Sequence, residues 1–131
     1  MTARPTIERY MTAPARTLSP QTEIMRAAAF LLKHDITGAP VTDEAGRIVG
    51  IVTAKDCFRA VLHASYHQDL GATVADFMSS PVETLDAELD IVAAAERFLG
   101  ASYRRYPVTK EGRLAGVITR LDLLRAFARE W

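Results

Sequence analysis

The chain has 131 residues, enough for a fold with a real core, and its 49% hydrophobic and 24% charged content is that of an ordinary globular protein. Lys+Arg and Asp+Glu each number 16, so the formal net charge is zero and the basic excess of a general nucleic-acid binder is missing. One cysteine, Cys57, excludes an internal disulfide and a thiolate zinc cluster, and no apolar run reaches the length of a bilayer span. The N-terminus (Met1-Thr2-Ala3-Arg4-Pro5) lacks an apolar h-region, so a cytoplasmic location is expected.

The chain repeats itself. Met11-Thr12-Ala13-Pro14 recurs as Met78-Ser79-Ser80-Pro81, Thr17-Leu18 as Thr84-Leu85, and Pro40-Val41-Thr42 as Pro107-Val108-Thr109, all at one offset. Past a turn the offset shortens by one residue: Gly46-Arg47-Ile48-Val49-Gly50-Ile51-Val52-Thr53 then matches Gly112-Arg113-Leu114-Ala115-Gly116-Val117-Ile118-Thr119. Asp56 matches Asp122, and Arg59-Ala60 matches Arg125-Ala126. The slip falls where insertions are tolerated.

In chain order, each copy opens with a short segment and a brief extended piece at Thr17-Leu18 or Thr84-Leu85. Ser19-Pro20 reads as an N-cap with proline at the first helical position, and Asp86 takes the capping place in the second copy. Ile24, Ala27, Ala28 and Leu31 recur at helical spacing and form an apolar face. The second copy of this helix stops at Gly100. Extended stretches follow at 39–42 and 106–109. Asp43-Glu44-Ala45-Gly46 and Lys110-Glu111-Gly112 are turns, and Ile48–Val52 and Leu114–Ile118 are β-rich runs, so each turn closes a hairpin. A last helix begins after Thr53 and again after Thr119. The stretch from His67 to Thr73 reads as a linker.

The residues with chemical content are Gly50-Ile51-Val52-Thr53-Ala54-Lys55-Asp56 and Gly116-Val117-Ile118-Thr119-Arg120-Leu121-Asp122. Thr-x-x-Asp at a strand-to-helix junction is a capping box with Asp at the N3 position, and Val52 with Cys57, or Ile118 with Leu123, sits at the places of a hydrophobic staple. The same residues suit a nucleoside grip, because a carboxylate accepts hydrogen bonds from both ribose hydroxyls while a helix N-terminus holds polar or anionic groups. Both readings stand on the pattern alone, with capping ahead.

Met-(Thr/Ser)-x-x-x-x-Thr-Leu, Ile36-Thr37-Gly38-Ala39-Pro40-Val41 and Gly-(Ile/Val)-(Val/Ile)-Thr-x-x-Asp, in this order and largely in duplicate, resemble the CBS domain family, named for cystathionine β-synthase. The resemblance runs from about Ile7 to the C-terminal helix. A tandem pair of such repeats is the unit called a Bateman module. The fold it implies is α/β (α+β): two pseudo-twofold-related βαββα repeats packed as one module, with residues 1–66 and 74–131 as repeats and 67–73 as linker. The function it implies is a non-catalytic regulatory module, not an enzyme. Clefts between the repeats would bind AMP, ADP, ATP, S-adenosylmethionine or NAD, with or without magnesium, and signal to a protein partner.

Residue by residue, the resemblance implies one cleft with Ile36, Thr37 and Gly38 around the base and Thr119 and Asp122 on the ribose. Arg120 lies nearby, with Met11 and Arg16 at the edge. The other cleft takes Tyr103, Arg104 and Arg105, with Thr53 and Asp56 on the ribose, Lys55 beside them, and Met78 and Glu83 at the edge. Since Arg104, Arg105 and Lys55 all fall in the second set, the Asp56 cleft is expected to prefer a phosphorylated nucleotide and the Asp122 cleft a less charged adenosyl ligand. The alternative is a structural interaction module with empty or vestigial clefts.

Other signals are set aside. Cys57 aligns with Leu123 and reads as a packing residue. His63 and His67 have metal-like spacing but no evident third ligand, and no set of residues supports an enzyme reading. Leu121, Leu123, Leu124, Phe127, Ala128 and Trp131 fill a wide apolar arc on the last helix, as Ala54, Cys57, Phe58, Val61 and Leu62 do on its counterpart. Either both helices are buried within the chain or part of each faces another subunit. The family resemblance implies the second, a helix-to-helix homodimer, while the lack of a bilayer-length apolar run speaks against a membrane partner and the balanced charge against nucleic acid.

Overall fold

The computed structural model describes residues 4–67 and 71–130. The fold is mixed α/β, in two compact units: Arg16–Val82, and the described residues on either side of that stretch. Trp131 and part of the linker, 68–70, lie outside the described residues.

The Arg16–Val82 unit contains α1 (Ile24–Lys33), β1 (Gly38–Thr42), β2 (Ile48–Thr53), α2 (Ala54–His67) and α3 (Val74–Phe77). The β1-β2 hairpin is antiparallel, with Gly38 opposite Thr53 and Val41 opposite Gly50. Its turn is locked by the Asp43 carboxylate, which accepts from the Ala45 and Arg47 amides at 2.9 Å each. Gly46 supplies the positive φ of +81° that an L side chain resists. Leu18 runs parallel to Val41 on one side of the hairpin, and Ser79 pairs with Ile51 on the other. Ile24, Ala27 and Leu31 bury one face of α1 against Val41, Val52 and Cys57.

The other unit contains β3 (Leu85–Asp86), α4 (Ile91–Leu99), β4 (Arg105–Lys110), β5 (Arg113–Thr119) and α5 (Arg120–Glu130). β3 runs parallel to β4, and β4 antiparallel to β5. The first residues of the chain complete this unit. Ile7, in a single 3-10 turn (Ile7–Arg9), is fully buried with Leu85, Ile91 and Ile118, and Thr12 pairs with Val117 through bonds of 2.8 and 3.0 Å. In the same way Val74 and Ser79, which open the second repeat, complete the unit built on the first.

Both repeat helices start later than the Ser19-Pro20 pattern suggests. Leu18 is still tied to β1, its N–H donating to Pro40 O, and the turn closed by Thr22 N–H to Ser19 O intervenes before Glu23 caps α1. In the second copy Ala87 N–H still donates to Thr109 O, so Asp86 is a strand residue whose carboxylate accepts from Glu88 N–H, and Asp90 is the cap of α4. The sheet bonds hold the chain extended, and the helix begins only once the chain is released. α4 does end at Gly100. The one-residue slip between the copies falls in the hairpin turns, where Thr42 pairs with Ile48 but Thr109 with Leu114.

Candidate functional site

Each Thr-x-x-Asp forms a reciprocal capping box. In the first, Thr53 N–H donates to Asp56 Oδ2 at 2.8 Å and Asp56 N–H to Thr53 Oγ1 at 3.3 Å. In the second, Thr119 N–H donates to Asp122 Oδ2 at 3.0 Å and Asp122 N–H to Thr119 Oγ1 at 3.1 Å. The staple residues Val52 and Cys57, and Ile118 and Leu123, are buried beneath the two boxes. Burial, with Asp56 adding to it, pushes the Cys57 thiol pKa upward and keeps it protonated, as suits a packing residue.

A methionine closely approaches the strand that leads into each box. A Cβ on Gly50 would lie 2.5 Å from the Met78 sulfur, and one on Gly116 would lie 2.6 Å from the Thr12 carbonyl and 2.8 Å from the Met11 sulfur. The two glycines are therefore points of close approach.

The two carboxylates differ in their surroundings. Asp56 is 2% exposed, accepts a further bond from the Thr53 hydroxyl at 3.0 Å, and is paired with Arg59 at 2.7 Å. Asp122 is 12% exposed, and Arg125 reaches it at 3.2 Å. Arg59 and Arg125 have no place among the residues expected at the site. Their signal, Asp-x-x-Arg in both copies, is visible in the repeat alignment but carries no hint of an ion pair until the helix places them one turn on from the aspartate.

The remaining expected residues are divided between the units. Arg16, Ile36, Thr37, Gly38, Thr53, Lys55, Asp56 and Met78 lie in Arg16–Val82, and Met11, Glu83, Tyr103, Arg104, Arg105, Thr119, Arg120 and Asp122 in the other. Within each unit the direct neighbours come from both expected sets. Thr37 O accepts from Ala54 N–H at 2.9 Å and Gly38 pairs with Thr53, so the Ile36-Thr37-Gly38 stretch adjoins the Asp56 box. Likewise Arg104 O accepts from Arg120 N–H at 3.2 Å and Arg105 pairs with Thr119, beside the Asp122 box. Arg105 is half-buried, and burial first, then its neighbour Arg104, lowers its pKa. Tyr103 stacks edge-on against Tyr106 at 5.3 Å, and Glu83 pairs with Arg97. Lys55 and Arg120 are exposed at the first turns of α2 and α5. Exposed Arg16 acts with Lys33 to lower the His34 pKa, after desolvation.

Elsewhere, His63 and His67 lie 4.5 Å apart by ring centroid, and among the described residues no group of three or more His, Cys, Asp and Glu side chains is placed to hold a metal. Among the described residues no helix is long and apolar enough to cross a membrane. The outer faces of the two last helices are open: Phe58 is 67% exposed, Leu62 57%, Leu121 61% and Leu124 63%. This removes the reading in which both apolar arcs are buried within the chain.

A family model for the CBS domain matches residues 7–63 and again 74–129. The chain belongs to the CBS domain family. Solved CBS-pair structures share the fold over nearly the whole length. CBSX2 in complex with AMP is 27% identical, with a TM-score of 0.83 over 95% of this chain and 97% of that one, and the CBSX2 protein is from Arabidopsis thaliana. The CBS domain pair of MJ0100, in complex with 5′-methylthioadenosine and S-adenosyl-L-methionine, is 25% identical, with a TM-score of 0.82 over 98% of this chain and all of that one. Among curated relatives, the uncharacterized protein MJ1225 of Methanocaldococcus jannaschii is 26% identical over 88% of this chain, and inosine-5′-monophosphate dehydrogenase of Aquifex aeolicus 29% identical over 83%. The chain spans 40% of the first and 22% of the second, so it matches a part of each.

Proposed function

We propose that this CBS pair is a non-catalytic regulatory module that binds an adenosine-containing ligand and passes its occupancy to a protein partner. The observation that carries the reading is the duplicated Thr-x-x-Asp junction, which sets a carboxylate and a helix N-terminus side by side. A ribose diol is a bidentate donor that such a carboxylate accepts. Lys55, Arg104 and Arg105 are the cations that this reading assigns to an attached phosphate, and Arg59 stands at the Asp56 carboxylate. The ligands carried by CBSX2 and MJ0100 belong to the same adenosyl class. A thermal-shift series with AMP, ADP, ATP, S-adenosylmethionine and NADH, with and without magnesium, tests it. A ligand at a hundred times its Kd stabilises the fold by about 2.7 kcal/mol, a rise of several degrees for a chain of this size. Loss of the rise in Asp122→Ala or Asp56→Ala assigns the grip, and no rise with any of these ligands sinks the reading.

A second role rests on the open helix faces. Phe58 and Leu62 on α2 and Leu121 and Leu124 on α5 are exposed, and the same helices line apolar grooves, one of about 370 Å³ with Val61 in its wall and one of about 460 Å³ with Leu124 in its wall. Unpartnered apolar helix surface of this kind marks an interface, and its occupant is a second copy of the chain in a homodimer. Light scattering at micromolar concentration should give a dimer mass that Phe58→Glu with Leu124→Glu reduces to that of one chain. A single-chain mass for the unaltered protein excludes the homodimer.

A further inference from the structure

We infer that Arg59 is a latch on Asp56, released by phosphate, so that the Asp56 grip accepts a phosphorylated nucleoside and refuses a bare one while the Asp122 grip accepts both. The inference rests on the adenosyl reading above and adds to it a release device at one of the two carboxylates.

A carboxylate has about four acceptor positions, and a ribose diol needs one on each oxygen or two on one. At Asp56 the Thr53 N–H and hydroxyl both fall on Oδ2, and Arg59 sits on Oδ1 at 2.7 Å. The side chain keeps only 2% of its surface open to solvent. No diol reaches it unless Arg59 moves. At Asp122 the box donates only the Thr119 N–H to Oδ2, Arg125 stands off at 3.2 Å, and the side chain is six times as open, at 12% against 2%. Among the described residues an acceptor position on each Asp122 oxygen carries no hydrogen bond, and a neutral nucleoside can use both.

What frees Asp56 is a better partner for Arg59. The Arg59 side chain is more than half exposed, so it can turn toward an incoming anion without being dragged from a core. A phosphate offers it a bidentate, charge-assisted pair, the geometry that arginine favours. Lys55 lies four residues earlier on α2, on the same side of the helix, and supplies a second cation. The matching pair on α5 is Leu121 and Arg125, so the Asp122 grip lacks one of these charges at that place. Adenosine cannot make the exchange. It would take the charged partner from a buried carboxylate and put only neutral hydroxyl donors in its place, while Arg59 gains no anion in exchange.

The test is calorimetric titration of the whole chain with adenosine and with AMP. The expected result is one adenosine and two AMP per chain. In Arg59→Gln the second adenosine site should appear, with affinity raised at least about tenfold, the worth of one bond to a charged group. AMP should weaken at that same site because its phosphate partner is gone. Opposite signs for the two ligands separate a latch from a structural role, which would move both together. Arg59→Lys, which restores the charge, should return adenosine to one per chain, and a melting curve of each variant confirms that it is folded. Equal adenosine stoichiometry in the unaltered chain and in Arg59→Gln overturns the latch while leaving the adenosyl reading in place. Failure of both ligands to bind either protein overturns the latch, and the adenosyl reading is then decided by the wider ligand series.

Discussion

At the scale of the residue, the repeat hides differences that packing reveals. Gly50 and Gly116 are equivalent in sequence, and both lie against a methionine, yet their contacts differ in kind. The closest obstacle to a Cβ at Gly50 is the end of the flexible Met78 side chain, whereas at Gly116 it is the backbone carbonyl of Thr12. Overpacking of this sort costs about 1–3 kcal/mol. Denaturant melts of Gly50→Ala and Gly116→Ala should therefore both show destabilisation, the second larger. Adding Met78→Ala should recover part of the Gly50→Ala loss, while adding Met11→Ala should recover little of the Gly116→Ala loss. Equal rescue in both pairs would mean that the Thr12 segment yields as readily as a side chain. The Asp56 and Asp122 pair makes the same point for charge: identical motifs, one closed by its arginine and a threonine hydroxyl, the other open.

At the scale of the element, the hairpins and the capped helices are where local sequence and final structure agree. The β1-β2 turn is specified by Asp43 and Gly46, and the Asp43 carboxylate accepts from the Arg47 and Ala45 amides and from Arg47 Nε at 3.1 Å. The Arg47 amide bond leads the causes that hold the Asp43 pKa below its ordinary value. A depressed carboxylate pKa means that the folded state binds the proton less readily than the unfolded chain does. Its contribution is therefore complete above the ordinary Asp value of about 3.9 and is lost as pH falls through the lower folded value. Asp43→Asn should lower the melting temperature modestly at pH 7, and the gap to the unaltered protein should narrow below about pH 4. A gap independent of pH would assign the effect to geometry rather than to charge. The helix starts are less local. Ser19-Pro20 has the chemistry of a helix start, but Leu18 is tied to β1, Ser19 opens a turn closed by Thr22 N–H, and the cap passes to Glu23.

At the scale of the whole molecule, each compact unit takes its flanking segment from outside its own repeat. Ile7 is fully buried among second-repeat residues, and its N–H donates to Leu89 O at 2.9 Å. Ile7→Ala should cost about 2–5 kcal/mol through the cavity it leaves. Hydrogen exchange should show where the loss falls, with faster exchange in β4 and β5 and little change in β1 and β2. Faster exchange in β1 and β2 alone would mean that the N-terminal segment supports its own repeat. The open faces of α2 and α5 belong to this scale too, because an apolar arc declares that a helix is buried by something without saying by what.

The sequence by itself determined the duplicated pattern, the hairpins, the helices and their capping boxes, and the family. Each of these rests on residues close together in the chain, whose turn chemistry, periodicity and repeat spacing act locally. Tertiary structure alone decided which unit Ile7 and Val74 complete, where α1 and α4 begin, and which half of each apolar arc is covered. It also decided that Arg59 closes Asp56 more tightly than Arg125 closes Asp122. These outcomes depend on which distant surfaces meet and how much water they exclude, and two stretches with the same motif carry no local mark of that difference.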